Sequence, residues 1–145
     1  RVLVASFSEP RLRAVRDIAA SDPTRAVATS LGTEAVVRLV GAAKSATNPA
    51  WWHVPGPRQG AIAAQVPMHQ GPIRVVDERF VATAHTLGLA VHVWTINTVA
   101  AVLRLLEVGV DGILTDRPVF LRDFLHARGL WPQPPAPRSV SGPRA

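Results

Sequence analysis

The chain has 145 residues, 48% hydrophobic and 18% charged, which is material for one buried core and not the composition of a disordered polymer. Its net charge of +6 rests on arginine, since the sixteen Lys and Arg include a single lysine, Lys44. The arginines are scattered singly without aromatic interleaving, which reads as solvated helix faces and argues against a nucleic-acid partner; the absence of cysteine excludes disulfides and thiolate chemistry.

Along the chain, short apolar β-branched segments alternate with helix-length ones. The opening residues, Arg1-Val2-Leu3-Val4-Ala5, read as a strand and not as a signal core. The only methionine is Met68, and a chain opening inside such a run is expected to have lost what precedes it. The first strand is expected over Val2–Phe7, then a helix over Glu9–Ala20 with Ser8 as N-cap and Pro10 in the first turn. Arg25–Thr29 reads as a second strand and Thr33–Ala43 as its helix. Residues 45–60, rich in Pro and Gly and carrying Trp51-Trp52, read as an elaborated loop between a strand and its helix, and so are expected at the active-site end. The third strand is Ala61–Val66, with a helix over Asp77–Leu87 closed by Gly88. The fourth is Ala90–Ile96, with a helix over Val99–Val108; the fifth is Gly112–Thr115, with a helix over Val119–Ala127. From Trp131 the Pro- and Arg-rich residues 131–145 are expected to form a disordered tail. No apolar run approaches the roughly 18 residues of a membrane helix, so no transmembrane segment is expected; the composition leaves the location open, with the cytoplasm favoured.

This alternation predicts an α/β fold with a parallel sheet, its strands buried on both faces. Five βα units fall short of a closed eight-stranded barrel, which takes about 250 residues. An open doubly wound sheet fits the same pattern.

Three stretches separate those alternatives. They are Ala5-Ser6-Phe7-Ser8 at a strand end, Val91-His92-Val93-Trp94-Thr95-Ile96-Asn97, and Gly109-Val110-Asp111-Gly112-Ile113-Leu114-Thr115-Asp116-Arg117-Pro118. In this order and spacing, with Gln65-Val66-Pro67 between the first two, the chain resembles the C-terminal half of the glycerophosphodiester phosphodiesterase family. The resemblance covers residues 1 to about 127. It implies the last five βα units of a TIM (β/α)8 barrel, incomplete here, with residues 1–130 as the barrel part. It also implies a glycerophosphodiester substrate and a divalent cation, Mg or Ca, in the complete enzyme.

Functional residues of such a barrel lie at the C-terminal ends of strands. Trp94, Phe7, Asn97 and Gln65 fall there and are the expected substrate contacts, with the rings as apolar walls and the amides as hydrogen-bonding groups. Each has a plainer reading. The two rings could plug the barrel, and Asn97 could cap the next helix. Asp116 is expected to cap the final helix before Pro118, and Asp111 to shape the turn before the last strand. Among the histidines, His53 and His69 are expected on loops at the active-site end, His85 and His126 on exposed helix faces, and His92 one layer below Trp94 as a hydrogen-bonded core residue.

The catalytic motifs that the resemblance implies are absent from this sequence: a His-Arg-Gly, a Pro-Glu-Asn-Thr, a Glu-x-Asp, a His-Asp and a Glu-x-Lys. No catalytic residue and no metal ligand is therefore expected here. The missing N-terminal half of the barrel is the expected partner, and the chain alone is expected to be inactive and to be unstable or to associate. The competing reading is a non-catalytic βα module that binds a phosphorylated ligand or a partner chain.

Overall fold

The computed structural model describes residues 2–22, 24 and 27–131. Its elements are β1 (Leu3–Val4), α1 (Glu9–Ser21), β2 (Ala28–Ser30), α2 (Thr33–Ser45), β3 (Ala61–Pro67), a small hairpin of β4 (His69–Gln70) and β5 (Ile73–Arg74), α3 (Glu78–Thr86), β6 (Ala90–Trp94), α4 (Val99–Glu107), β7 (Gly112–Ile113) and α5 (Pro118–His126). The main sheet runs β1-β2-β3-β6-β7 and every pairing in it is parallel. Successive βα units thus lie side by side with no reversal of strand order. A doubly wound sheet would show that reversal at its switch point. The arrangement is a wall of a TIM-type barrel, and its described strands do not close.

Strand alternation divides the sheet into two faces. Val66, Val91 and Val93 are fully buried and join Leu39 of α2, Phe80 of α3, and Val102 and Leu105 of α4 in the core. Phe80 is the largest of these buried side chains, and truncating it to Ala would cost about 3–5 kcal/mol. Ala90, His92 and Trp94, on the other face of β6, are only half-buried.

The helix ends follow local chemistry. The Asp77 carboxylate accepts the Phe80 N–H at 2.9 Å to open α3, and Gly88 and Gly109 close α3 and α4 at φ +73° and +79°. Ser8 takes the N-cap position of α1, but its hydroxyl makes no capping bond. The Glu9 N–H instead donates across to the Glu34 carboxylate of α2 at 3.2 Å. That carboxyl is held below its ordinary value, first by its own backbone N–H and next by that of Glu9.

Three expectations are corrected. Residues 46–60 follow α2 and lead into β3, so they lie at the N-terminal end of the strands, opposite the expected end, and His53 lies there with them. There the Trp52 ring packs on α2 so closely that a Cβ on Gly41 would come within 2.3 Å of it, and its Nε1–H donates to Thr47 Oγ1 at 2.8 Å. Trp52 is therefore a packing residue of α2, while Trp51 beside it is exposed. Second, Arg16 is no solvated arginine: it is 8% exposed and bonded to Glu9, Thr29 and Ser30. Third, the second strand begins later than expected, at Ala28; Arg25, like the tail beyond Trp131, lies outside the described residues.

Candidate functional site

A cleft of about 800 Å³ opens over the C-terminal ends of β1, β2, β3 and β6. Phe7 leaves the end of β1 and Trp94 ends β6, with β2 and β3 between them. Three strand spacings amount to about 14 Å in a flat sheet. The two rings bridge that span and meet edge to face, centroids 6.2 Å apart and planes at 75°, the arrangement that aromatic quadrupoles favour. Phe7 keeps 77% of its surface exposed.

One layer lower, Gln65 of β3 stands in register with His92 of β6, and His92 with Gly112 of β7. Gln65 Nε2 lies 3.4 Å from His92 Nδ1. The row depends on glycine at its third place, because a Cβ on Gly112 would sit 2.7 Å from His92 Cδ2. His92 is hydrogen-bonded one layer below Trp94, as the alternation predicted, but it is half-buried and not a core residue.

Asn97 lies apart from this cleft. Its Oδ1 accepts from Thr115 Oγ1 at 2.9 Å and from the Asp116 N–H at 3.1 Å, and its Nδ2 donates to Asp116 Oδ2 at 3.3 Å. The α4 cap is Thr98, not Asn97, and the position before Pro118 is Arg117, without a side-chain cap bond. Both capping expectations, for Asn97 and for Asp116, are therefore corrected. The pair instead ties the loop after β6 to the loop after β7. Asp111 does more than shape its turn: its carboxylate accepts the Val91 N–H at 2.7 Å and His85 Nε2 at 2.8 Å. That joins α3, β6 and the approach to β7 at the end remote from the cleft.

The sequence reading missed the β4–β5 hairpin. It rises directly after Gln65-Val66-Pro67 and places Gln70 and Ile73 in the cleft wall beside Trp94. Gly71-Pro72 between two paired positions was the available signal, and Gly71 has the positive φ, +57°, that such a tight loop requires. His69, expected at this end, lies exposed on β4.

None of the described residues lining the cleft is charged. No group of three or more His, Cys, Asp or Glu among the described residues is placed to hold a metal ion. The described residues do not make a divalent-cation site. No described helix is long and apolar enough to cross a membrane.

Consecutive parallel βα units with a cleft over their C-terminal strand ends define an α/β protein of the TIM-barrel class. Residues 4–119 match the Glycerophosphoryl diester phosphodiesterase family, and the chain belongs to it. It is also 35% identical over 131 residues to a "Probable glycerophosphodiester phosphodiesterase 2" of Mycobacterium tuberculosis (strain ATCC 25618 / H37Rv), a match covering 90% of this chain and 47% of that relative. The chain thus spans about half the length of the curated relative it matches.

Proposed function

We propose that residues 1–130 form the C-terminal part of the barrel of a metal-dependent phosphodiesterase, one that hydrolyses glycerophosphodiesters to glycerol 3-phosphate and an alcohol in lipid metabolism. In this reading Phe7 and Trp94 wall in the carbon skeleton of the substrate. Gln65 hydrogen-bonds its hydroxyl or phosphate oxygens, while Asn97, outside the cleft, holds the loops after β6 and β7 together. The observation that supports the reading most is the meeting of Phe7 and Trp94 over Gln65 at the strand ends of a chain of this family. The divalent cation and the acid–base histidines belong to family motifs that do not occur in this sequence, so the 145-residue chain alone has no turnover.

Equilibrium dialysis of the chain against glycerophosphocholine tests the contacts. Trp94→Ala and Gln65→Ala should each weaken binding by about tenfold, the loss of one buried contact of roughly 1–1.5 kcal/mol. Unchanged affinity in both variants refutes the assignment. Sustained, metal-dependent release of glycerol 3-phosphate by the purified chain refutes the inactivity.

A further inference from the structure

A second hollow, of about 710 Å³, lies at the end of the strands opposite the cleft, between α1 and residues 53–60. Two guanidinium groups and an imidazole border it: Arg13 from α1, and Arg58 and His53 from the segment leading into β3. All three are exposed, and none has a side-chain hydrogen bond or ion pair with a described residue. Arg16 also borders the hollow, but its guanidinium is spent on Glu9, Thr29 and Ser30 and adds no free charge. Asp17 is the one acid among the described lining residues. It follows Arg13 by four positions, base before acid, which is the weaker order for a pair on a helix. Glu34, in the adjoining groove between α1 and α2, accepts the Glu9 N–H and has Arg38 one turn along its own helix. The hollow therefore keeps a surplus of uncommitted positive charge, and a concave wall concentrates its field.

The backbone under Arg58 is fixed. Pro57–Gln59 form a single 3-10 turn, in which the Gln59 N–H donates to the Gly56 carbonyl at 2.9 Å and the Gly60 N–H to that of Pro57 at 3.0 Å. The Gln59 side chain closes the turn by accepting the Gly56 N–H at 3.0 Å. Between the charged groups the wall is apolar, made by Val27, Val54, Pro55 and Pro57, and the two prolines offer no N–H. A few polar groups on an apolar wall suit a small molecule with one charged end. Guanidinium groups match phosphate oxygens in charge and geometry. We infer that this hollow binds a small phosphate monoester with an apolar organic part, the phosphate between Arg13 and Arg58 and the organic part against Val54, Pro55 and Pro57. The site lies at the opposite strand ends from the phosphodiester contacts proposed above, and it stands or falls independently of them.

The test is an NMR titration of the full 145-residue chain with phenyl phosphate, and in parallel with inorganic phosphate, benzoate and phenol. Phenyl phosphate should bind saturably at millimolar concentration, shifting the Nε–H signals of Arg13 and Arg58 and the Gly60 amide. The other three probes should bind more weakly, since each lacks the organic part, the second negative charge or any charge at all. Arg13→Gln and Arg58→Gln should each weaken phenyl phosphate binding roughly fivefold, the loss of one exposed ion pair. Both positions are exposed and lie on different elements, so misfolding of one variant leaves the other to decide. Trp94→Ala, in the cleft, should leave the affinity unchanged. Absence of saturable binding overturns the proposal, and so does equal affinity for inorganic phosphate or for benzoate. Binding kept in a folded arginine variant, or lost in Trp94→Ala, also overturns it, because the anion then sits elsewhere.

Discussion

Glu9 and Arg16 stand seven positions apart on α1 and meet as a buried ion pair, Nη1 to Oε1 at 2.7 Å, with side chains only 4% and 8% exposed. Each partner also holds a loop or strand: Glu9 Oε2 accepts the Gly32 N–H at 2.7 Å, while Arg16 donates to Thr29 Oγ1 at 2.7 Å and to the Ser30 carbonyl at 3.2 Å. The network fastens α1 to β2, and the Thr33 N–H donates to the Phe7 carbonyl at 2.8 Å beside it. Phe7 is therefore anchored through its backbone although its ring is exposed. Removing one charge strands the other in a dry site, so Arg16→Met or Glu9→Gln alone should cost about 3–5 kcal/mol. The double substitution should cost clearly less than the sum, and urea denaturation of the four proteins in a double-mutant cycle measures the difference.

Gly112 is the sheet position where His92 needs open space. Gly112→Ala should push the imidazole off its place, because the new Cβ would stand 2.7 Å from Cδ2. Overpacking of this kind costs about 1–3 kcal/mol. The specific sign is local: the Gln65 side-chain amide resonances should shift in Gly112→Ala and in His92→Phe alike, since both remove the 3.4 Å contact. Amide signals of Gln65 unchanged in both variants would exclude the coupling.

Much of the fold was legible because its signals are local. The helices begin and end at Asp77, Thr98, Gly88 and Gly109, where caps and positive φ act on nearest neighbours. The barrel order came from the stretches around Trp94 and Gly112, which periodicity alone could not supply. The failures have one physical cause, dependence on distant partners. Arg16 looks like any surface arginine until Glu9 and Thr29 close around it. The cap positions of Asn97 and Asp116 were claimed by Thr98 and Arg117 once those two side chains had bonded to each other. The Trp51-Trp52 segment was assigned to the wrong end because its polarity and loop character carry no direction, whereas its place after α2 does. Of the cleft wall, Phe7, Gln65 and Trp94 were readable from strand ends; Gln70 and Ile73 were not, since they depend on the hairpin folding back at Gly71.

Acid should loosen the end of the barrel remote from the cleft. Burial alone would raise the Asp111 carboxyl, but the Val91 N–H and His85 together outweigh it and hold the group below its ordinary value. A carboxyl depressed in the folded state contributes stability that is present above the unfolded value, about 3.9, and is lost as pH falls through the folded one. Asp77 shifts the same way: desolvation opposes, while Lys44 and the Phe80 N–H prevail. Thermal midpoints measured from pH 6 to 2 should therefore fall steeply below about pH 4. Asp111→Asn should flatten that acid limb while lowering the midpoint at pH 6, because the amide keeps an acceptor for Val91 but loses the charge facing His85.

The Asn97 side chain joins two loops through three hydrogen bonds. Asn97→Ala would leave Thr115 Oγ1 and the Asp116 N–H to bond to water instead, a loss of about 0.5–1.5 kcal/mol. Asn97→Asp keeps both acceptor bonds and turns the third, with the Asp116 carboxylate, into a repulsion. The alanine variant should speed hydrogen exchange at the Asp116 amide and leave exchange at Val93, deep in β6, unchanged. The aspartate variant should protect the Asp116 amide nearly as well as wild type, yet be less stable than wild type at pH 7, because two carboxylates then face each other. Equal exchange at Asp116 in wild type and Asn97→Ala would mean that the two loops hold each other without this side chain.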